Sequence, residues 1–181
     1  RIVSIFQPHI RPIVRGKASV NVEFGAKISV SLKDGFSRIE KHSWDNFNES
    51  TLLKDHVNDY FNKHGVYPKV VGADKIYHNK ENKSFCKANN IKMTMGKVID
   101  DSKDVMCRAI SSRNQIEGKF GEAKRRYSLG RIMAKLDVTG KSVVGVIILV
   151  MNLRKRLQLL LENYILRIFF WMETSKIQYF H

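Results

Sequence analysis

Between Val20 and Leu32 apolar and polar residues alternate without a break: Val20, Val22, Phe24, Ala26, Ile28, Val30 and Leu32 against Asn21, Glu23, Gly25, Lys27, Ser29, Ser31 and Lys33. A period of two puts one set on a buried face, so the pattern predicts a half-buried strand over 20–33. Asp34-Gly35 is a pair suited to a type I′ hairpin turn, so residues 36–44 return as a second strand. Asp34 therefore reads as a turn residue, and Asp45, just after Trp44, as part of the next turn. The period then changes. Asn48 or Ser50 can cap a helix whose apolar face is Leu52, Leu53, Val57, Tyr60 and Phe61, stopped by Gly65. Pro68 opens a short buried strand over 69–73 that ends at Asp74, and the carboxyl ends of strands are where open α/β sheets place ligands. Capping would also explain Asp74, but Asn79 stands five positions later and is available for that duty. A helix over about 80–89, a short strand at 91–93 and a polar loop at 94–104 follow. Thr139 or Ser142 can cap a long apolar helix over about 143–161, with Val143, Val144, Ile147, Ile148, Met151, Leu157, Leu160 and Leu161 as its core face. Strands alternating with helices give an α/β fold class.

The helix between that loop and the last one is unusual. At about 100° per residue, Ala109, Arg113, Ile116, Glu117, Phe120, Lys124 and Tyr127 fall on one side. Three charged residues thus enter a stripe expected to face the core, and burying charge is costly unless it is paired or binds something. An Arg113–Glu117 ion pair with Lys124 reaching outward is one reading. A carboxylate at the lip of a site, with cations ready for phosphate, is the other.

Arg113, Glu117 and Lys124 fill an Arg-x3-Glu-x6-Lys spacing, and with the surrounding IEGKFGEAKRRYSLGRIMAK they resemble the catalytic-helix signature of bacterial insertion-sequence transposases of the DDE class. ADKIY, holding Asp74 and Tyr77, resembles the second catalytic Asp of that group, and QPHIRPIVRGK and WDNFNES extend the likeness over residues 1–158. One departure is Ile110, where the signature usually has Tyr. The resemblance implies a ribonuclease-H-like mixed sheet with flanking helices, and DNA cleavage and strand transfer at transposon ends. Asp74 and Glu117 would be metal ligands, and Arg113 and Lys124 would act beside them in catalysis. The cofactor would be two Mg²⁺ (or Mn²⁺) ions, about 3.5–4 Å apart. Residues 1–19 hold no Asp or Glu, and the chain opens on Arg1 rather than Met. The expectation is a partial catalytic domain over 1–158, lacking the first strand and its Asp and inactive alone, followed by a 159–181 extension.

Composition narrows the partner. The 181 residues carry 32 Lys and Arg against 17 Asp and Glu, a net charge of +15. Such an excess favours a polyanion, with nucleic acid ahead of a membrane surface. Arg11, Arg15 and Lys17, on an arm that Pro8 and Pro12 keep from being helical, and Arg125, Arg126 and Arg131 are the candidate contacts to double-stranded DNA. The alternative is a basic nucleic-acid-binding domain without catalysis. Cys86 and Cys107 lack CxxC spacing and suggest a reducing cytosol, and the resemblance implies that it is bacterial and nucleoid-associated. The histidines lack zinc-ligand spacing. VVGVIILVMNL at 143–153 is cut by Arg154, Lys155 and Arg156, too short for the roughly 20 residues that span a bilayer. Asp100, Asp101 and Asp104 lie among Ser and Lys and read as a solvated loop. Phe169, Phe170 and Trp171 read either as an aromatic patch for self-association, and hence a homodimer, or as a frame-altered end.

Overall fold

A computed structural model describes residues 4–14, 22–94 and 103–178. Its architecture is mixed α/β, with small sheets and helices, and three two-stranded ladders stand where one mixed sheet is expected. In the first, β1 (Arg11–Val14) pairs antiparallel with β2 (Val22–Gly25), Pro12 opposite Phe24. The basic arm is therefore not irregular throughout. Proline is tolerated because β1 is an edge, where a missing N–H disturbs no interior ladder. In the second, β3 (Lys27–Lys33) pairs antiparallel with β4 (Phe36–Ser43) through the Asp34-Gly35 turn, both residues at positive φ. The strand expected over 20–33 is thus two strands that change partner at Ala26. Alternation continues across the switch because it depends on pleat, not on which strand supplies the hydrogen bonds.

Asn48, not Ser50, caps the next segment, accepting from the Ser50 amide at 3.1 Å. A 3-10 turn over Glu49–Leu52 leads into α1 (Leu53–His64). Gly65, at φ 71°, ends it with its amide on the Phe61 carbonyl at 2.8 Å. In the third ladder β5 (Val70–Gly72) and β6 (Lys92–Thr94) run parallel, with α2 (Lys80–Ala88) as their connection. β5 is less buried than its sequence suggests: Val70 is 47% exposed, and only Val71 packs inward. Leu53, Val57, Cys86 and Ile91 form the core of this half. Each such side chain is worth about 1.5–3 kcal/mol when fully withdrawn from water.

α3 (Lys103–Arg126) starts before the expected end of the polar loop, so Lys103 and Asp104 are helical. Asp100 and Asp101 lie outside the described residues. α4 (Asp137–Gln178) begins at Asp137 rather than at Thr139 or Ser142, and runs as one helix past residue 158. The Ser142 hydroxyl donates back to the Val138 carbonyl at 3.0 Å, inside the helix. The second core is Ala123, Ile147, Ile148 and Met151, with Ile39 and Tyr127 against it. Leu157, Leu160 and Leu161, expected on the core face, are 57, 58 and 52% exposed. A helix of this length (about 1.5 Å per residue) outruns the body it packs on.

Polar contacts hold α4 in place. The Asn152 side chain accepts from the Ser37 amide at 2.9 Å and donates to the Ser37 carbonyl at 2.7 Å, continuing the β4 edge with a side chain. Arg154 reaches Glu122 of α3 at 2.6 Å. The Trp44 indole donates to Asp137, and Trp44 lies so close to Gly140 that a Cβ there would stand 2.8 Å from the ring.

Candidate active site

Asp74 stands two residues beyond the end of β5. The Ala73 amide still bonds to the Thr94 carbonyl of β6 at 3.1 Å, and the chain then leaves the ladder. Asp74 caps the 3-10 turn Lys75–Tyr77: its carboxylate accepts from the Lys75 amide at 2.7 Å, and its carbonyl from the Tyr77 amide at 3.0 Å. Asn79 meanwhile caps α2, accepting from the Asn82 amide at 2.7 Å. The availability of Asn79 does not relieve Asp74, because the two residues cap different helices. The carboxylate is nonetheless exposed, at the carboxyl end of a strand.

The turn is fixed at its other end by a residue that periodicity does not single out. Asn82, 2% exposed, donates to the Tyr77 carbonyl and the Ser50 carbonyl, both at 2.8 Å. It ties the Asp74 turn to the 3-10 turn that leads into α1. Burial pushes the Tyr77 hydroxyl above its usual pKa, while a hydrogen bond with Ser29 of β3 acts the other way. The only signal for Asn82 in the sequence is a polar residue on the inner face of a short helix.

α3 passes alongside β5 and α4. Ile116, Phe120 and Ala123 line an apolar hollow with Val30, Ile148 and Met151. That fixes the inward direction, and it corrects the expected stripe. Measured from Ile116, Glu117 stands about 100° and Lys124 about 80° round the helix. They lie on its shoulder, and both are exposed, so neither of these two charges is buried. Position 113 lies on the same flank, one turn before Glu117; its side chain is outside the described set.

The cations divide. Lys124 is exposed and its stem lies 3.7 Å from where a Cβ on Gly130 would be. Arg125, also exposed, donates to the Gly121 carbonyl at 3.3 Å. Arg126 and Arg131 are exposed, but the helix ends at Arg126, and Ser128 takes a left-handed φ of 56°. Arg131 therefore sits on the turn after α3 rather than on its face. Arg11 is half-buried and donates to the Pro8 carbonyl and, at 3.0 Å, to the Ile10 carbonyl. Arg15 and Lys17 lie outside the described residues.

For a divalent ion, the donor chemistry of Asp74 and Glu117 is right, since Mg²⁺ prefers hard oxygen ligands. The number is not. Among the described residues no three His, Cys, Asp or Glu come together as a metal site. No helix among them is long and apolar enough to cross a membrane.

Residues 71–154 match the family described as the transposase DDE domain. Over this stretch the chain is similar to a DDE-class transposase domain. The stretch contains Asp74, Arg113, Glu117 and Lys124, and the likeness implies DNA as partner. No curated protein and no solved structure matches the chain.

Proposed function

We propose that this chain serves DNA transposition, by metal-dependent cleavage and strand transfer at transposon ends, on a ribonuclease-H-like scaffold. The observation that carries the reading is the exposed Asp74 at the end of β5, with α3, the helix of Glu117, running beside that strand. The β3–β4 hairpin, the parallel β5–β6 pair and the flanking helices are pieces such a scaffold needs. Asp74 and Glu117 are two ligands for Mg²⁺ or Mn²⁺. A further carboxylate must complete the set, because two fall short of what two ions demand. The cap hydrogen bond and Asn82 orient Asp74. Lys124, with Arg113 as its partner in the signature, holds the scissile phosphate. Arg125, Arg126 and Arg131, with Arg11, Arg15 and Lys17, follow the DNA backbone, whose contacts position without reading sequence.

The shortage of metal ligands among the described residues favours a second reading, a basic domain that binds nucleic acid without catalysis. One titration series separates them. Binding to a duplex, followed by fluorescence anisotropy against salt, has a slope near −0.9 per phosphate neutralised. Replacing Arg125 and Arg126 by Ala flattens it by about one to two units. Mn²⁺ tightens binding in the parent and not in Glu117→Gln. A salt slope near zero overturns both readings. A steep slope that Mn²⁺ and Glu117→Gln leave unchanged overturns the catalytic one.

A further inference from the structure

The segment from Arg131 to Lys135, between α3 and α4, forms neither strand nor helix, yet its side chains alternate. Arg131, Met133 and Lys135 are exposed, while Ile132 and Ala134 are half-buried. The carbonyls of the two half-buried residues converge on one side chain. The Gln7 amide nitrogen donates to Ile132 at 2.9 Å and to Ala134 at 2.8 Å, from 125 and 127 positions away in sequence. Two oxygens that share one nitrogen at these distances stand closer than the two-residue step of an extended strand, about 6.6 Å. The segment therefore bows around Gln7, with its exposed side chains on the outer side. Among the described residues no other hydrogen bond reaches the backbone of 132–135. Gln7 is itself fixed: its carbonyl accepts from the amide of the buried Ile10 at 3.0 Å.

We propose that Gln7 is a positioning residue that sets Arg131 and Lys135 as a two-pronged clamp on two phosphates of one DNA strand. Neither cation has an ion-pair partner among the described residues. Asp137, the acid nearest to Lys135 in sequence, is taken up by Lys141 at 3.0 Å and by the Trp44 indole. Lys124 of α3 lies over the start of the same segment, its stem 3.7 Å from where a Cβ on Gly130 would stand. The clamp thus continues from the signature helix. Lys135 lies beyond the signature spacing, and Gln7 carries no charge, so neither stands out in the sequence as a contact. Phosphate contacts fix position and orientation. A segment already held in its binding form lowers the ordering cost of making them. Without the Gln7 amide, the two carbonyls lose their shared donor and the prongs lose their spacing. The inference rests on the DNA reading.

Fluorescence anisotropy on a mixed-sequence duplex, repeated over a range of salt, tests it. Arg131→Ala with Lys135→Ala should flatten the slope of log K against log [salt] by about two units, near 0.9 for each phosphate lost. Gln7→Met keeps the length of the side chain and removes both donors. It should weaken binding in the parent and add nothing in the background of Arg131→Ala with Lys135→Ala. Its loss should add in full to that of Arg125→Ala with Arg126→Ala, positions that Gln7 does not hold. Gln7→Glu fills the same space but only accepts at neutral pH, so it should bind as weakly as Gln7→Met. Circular dichroism checks the fold of each variant, and Arg131→Ala with Lys135→Ala tests the clamp even where a Gln7 variant fails to fold. A slope near zero in the parent overturns the DNA reading and the clamp with it. Three results overturn the clamp alone: a steep parent slope unchanged by the Arg131 and Lys135 substitutions, losses that add between Gln7 and those positions, or a Gln7→Glu chain that binds like the parent.

Discussion

Asn82 offers a sharp test of how the Asp74 turn is held. Its amide donates both hydrogens, to the carbonyls of Ser50 and Tyr77 at 2.8 Å each, from a side chain that is 2% exposed. Asn82→Leu keeps the approximate volume and removes both donors. Two inward-facing carbonyls then lose their partner, at about 1–3 kcal/mol each for a buried group. Carbonyls tolerate under-satisfaction better than amides, so the expected loss is about 2–4 kcal/mol. Asn82→Asp is nearly isosteric yet worse at neutral pH, because it aims a carboxylate at two acceptors and buries a charge without a partner. Its folded-state pKa must rise above the unfolded value near 3.9. As pH falls through that raised pKa the carboxyl gains a proton and becomes a donor. The deficit of Asn82→Asp relative to the parent should therefore shrink on acidification, whereas that of Asn82→Leu should not. Urea unfolding at fixed protein concentration reads both, as a lower midpoint at unchanged slope. If Asn82→Leu costs under about 0.5 kcal/mol, or Asn82→Asp is the milder change at pH 7, these bonds do not hold the turn.

Gly140→Ala sets two effects against each other: alanine is better in a helix by about 1 kcal/mol, but the new Cβ would stand 2.8 Å from the buried Trp44 ring. Overpacking of about 1–3 kcal/mol should win, so the melting temperature falls; a rise would mean Trp44 moves freely. His42, His56 and His78 are each pushed below the ordinary histidine pKa, by burial first in every case. Folding therefore favours their neutral forms. The stability they contribute is complete above the unfolded value near 6.5 and is lost as pH falls through it toward the folded values. Melting temperatures should drop from pH 8 to pH 5.5, and a flat profile would show that these rings do not titrate differently on folding.

Local pattern carried much of the fold. The Asp34-Gly35 turn, the Gly65 stop and the apolar face of α1 are set by neighbours in sequence, so alternation and turn chemistry reveal them. Partner choice is not local: the 20–33 stretch reads as one strand because its side chains alternate throughout, while its hydrogen bonds go first to β1 and then to β4. The length of α4 escaped for a related reason. Beyond Leu157 its residues are apolar on every side, so no periodicity separated a core face from an exposed one.

The same distinction applies to the site. Arg113, Glu117 and Lys124 stand out by spacing, and a wheel drawn from the sequence sets them among core residues. What moves Glu117 and Lys124 outward is the identity of the partners that α3 packs on, namely Val30, Ile148 and Met151. A rotation of about 80–100° from the inward direction makes them exposed shoulder residues. That resolves the cost of burying charge without invoking a ligand, so burial is no argument for the site. The argument that remains is positional. An acidic residue ends a strand, its turn is secured by the buried Asn82, and a helix carrying an exposed Glu passes that strand. Helix capping explains one hydrogen bond of Asp74 but does not require Asn82, since a cap alone closes the turn at 3.0 Å from Tyr77. The second restraint ties the turn that Asp74 opens to the 3-10 segment leading into α1.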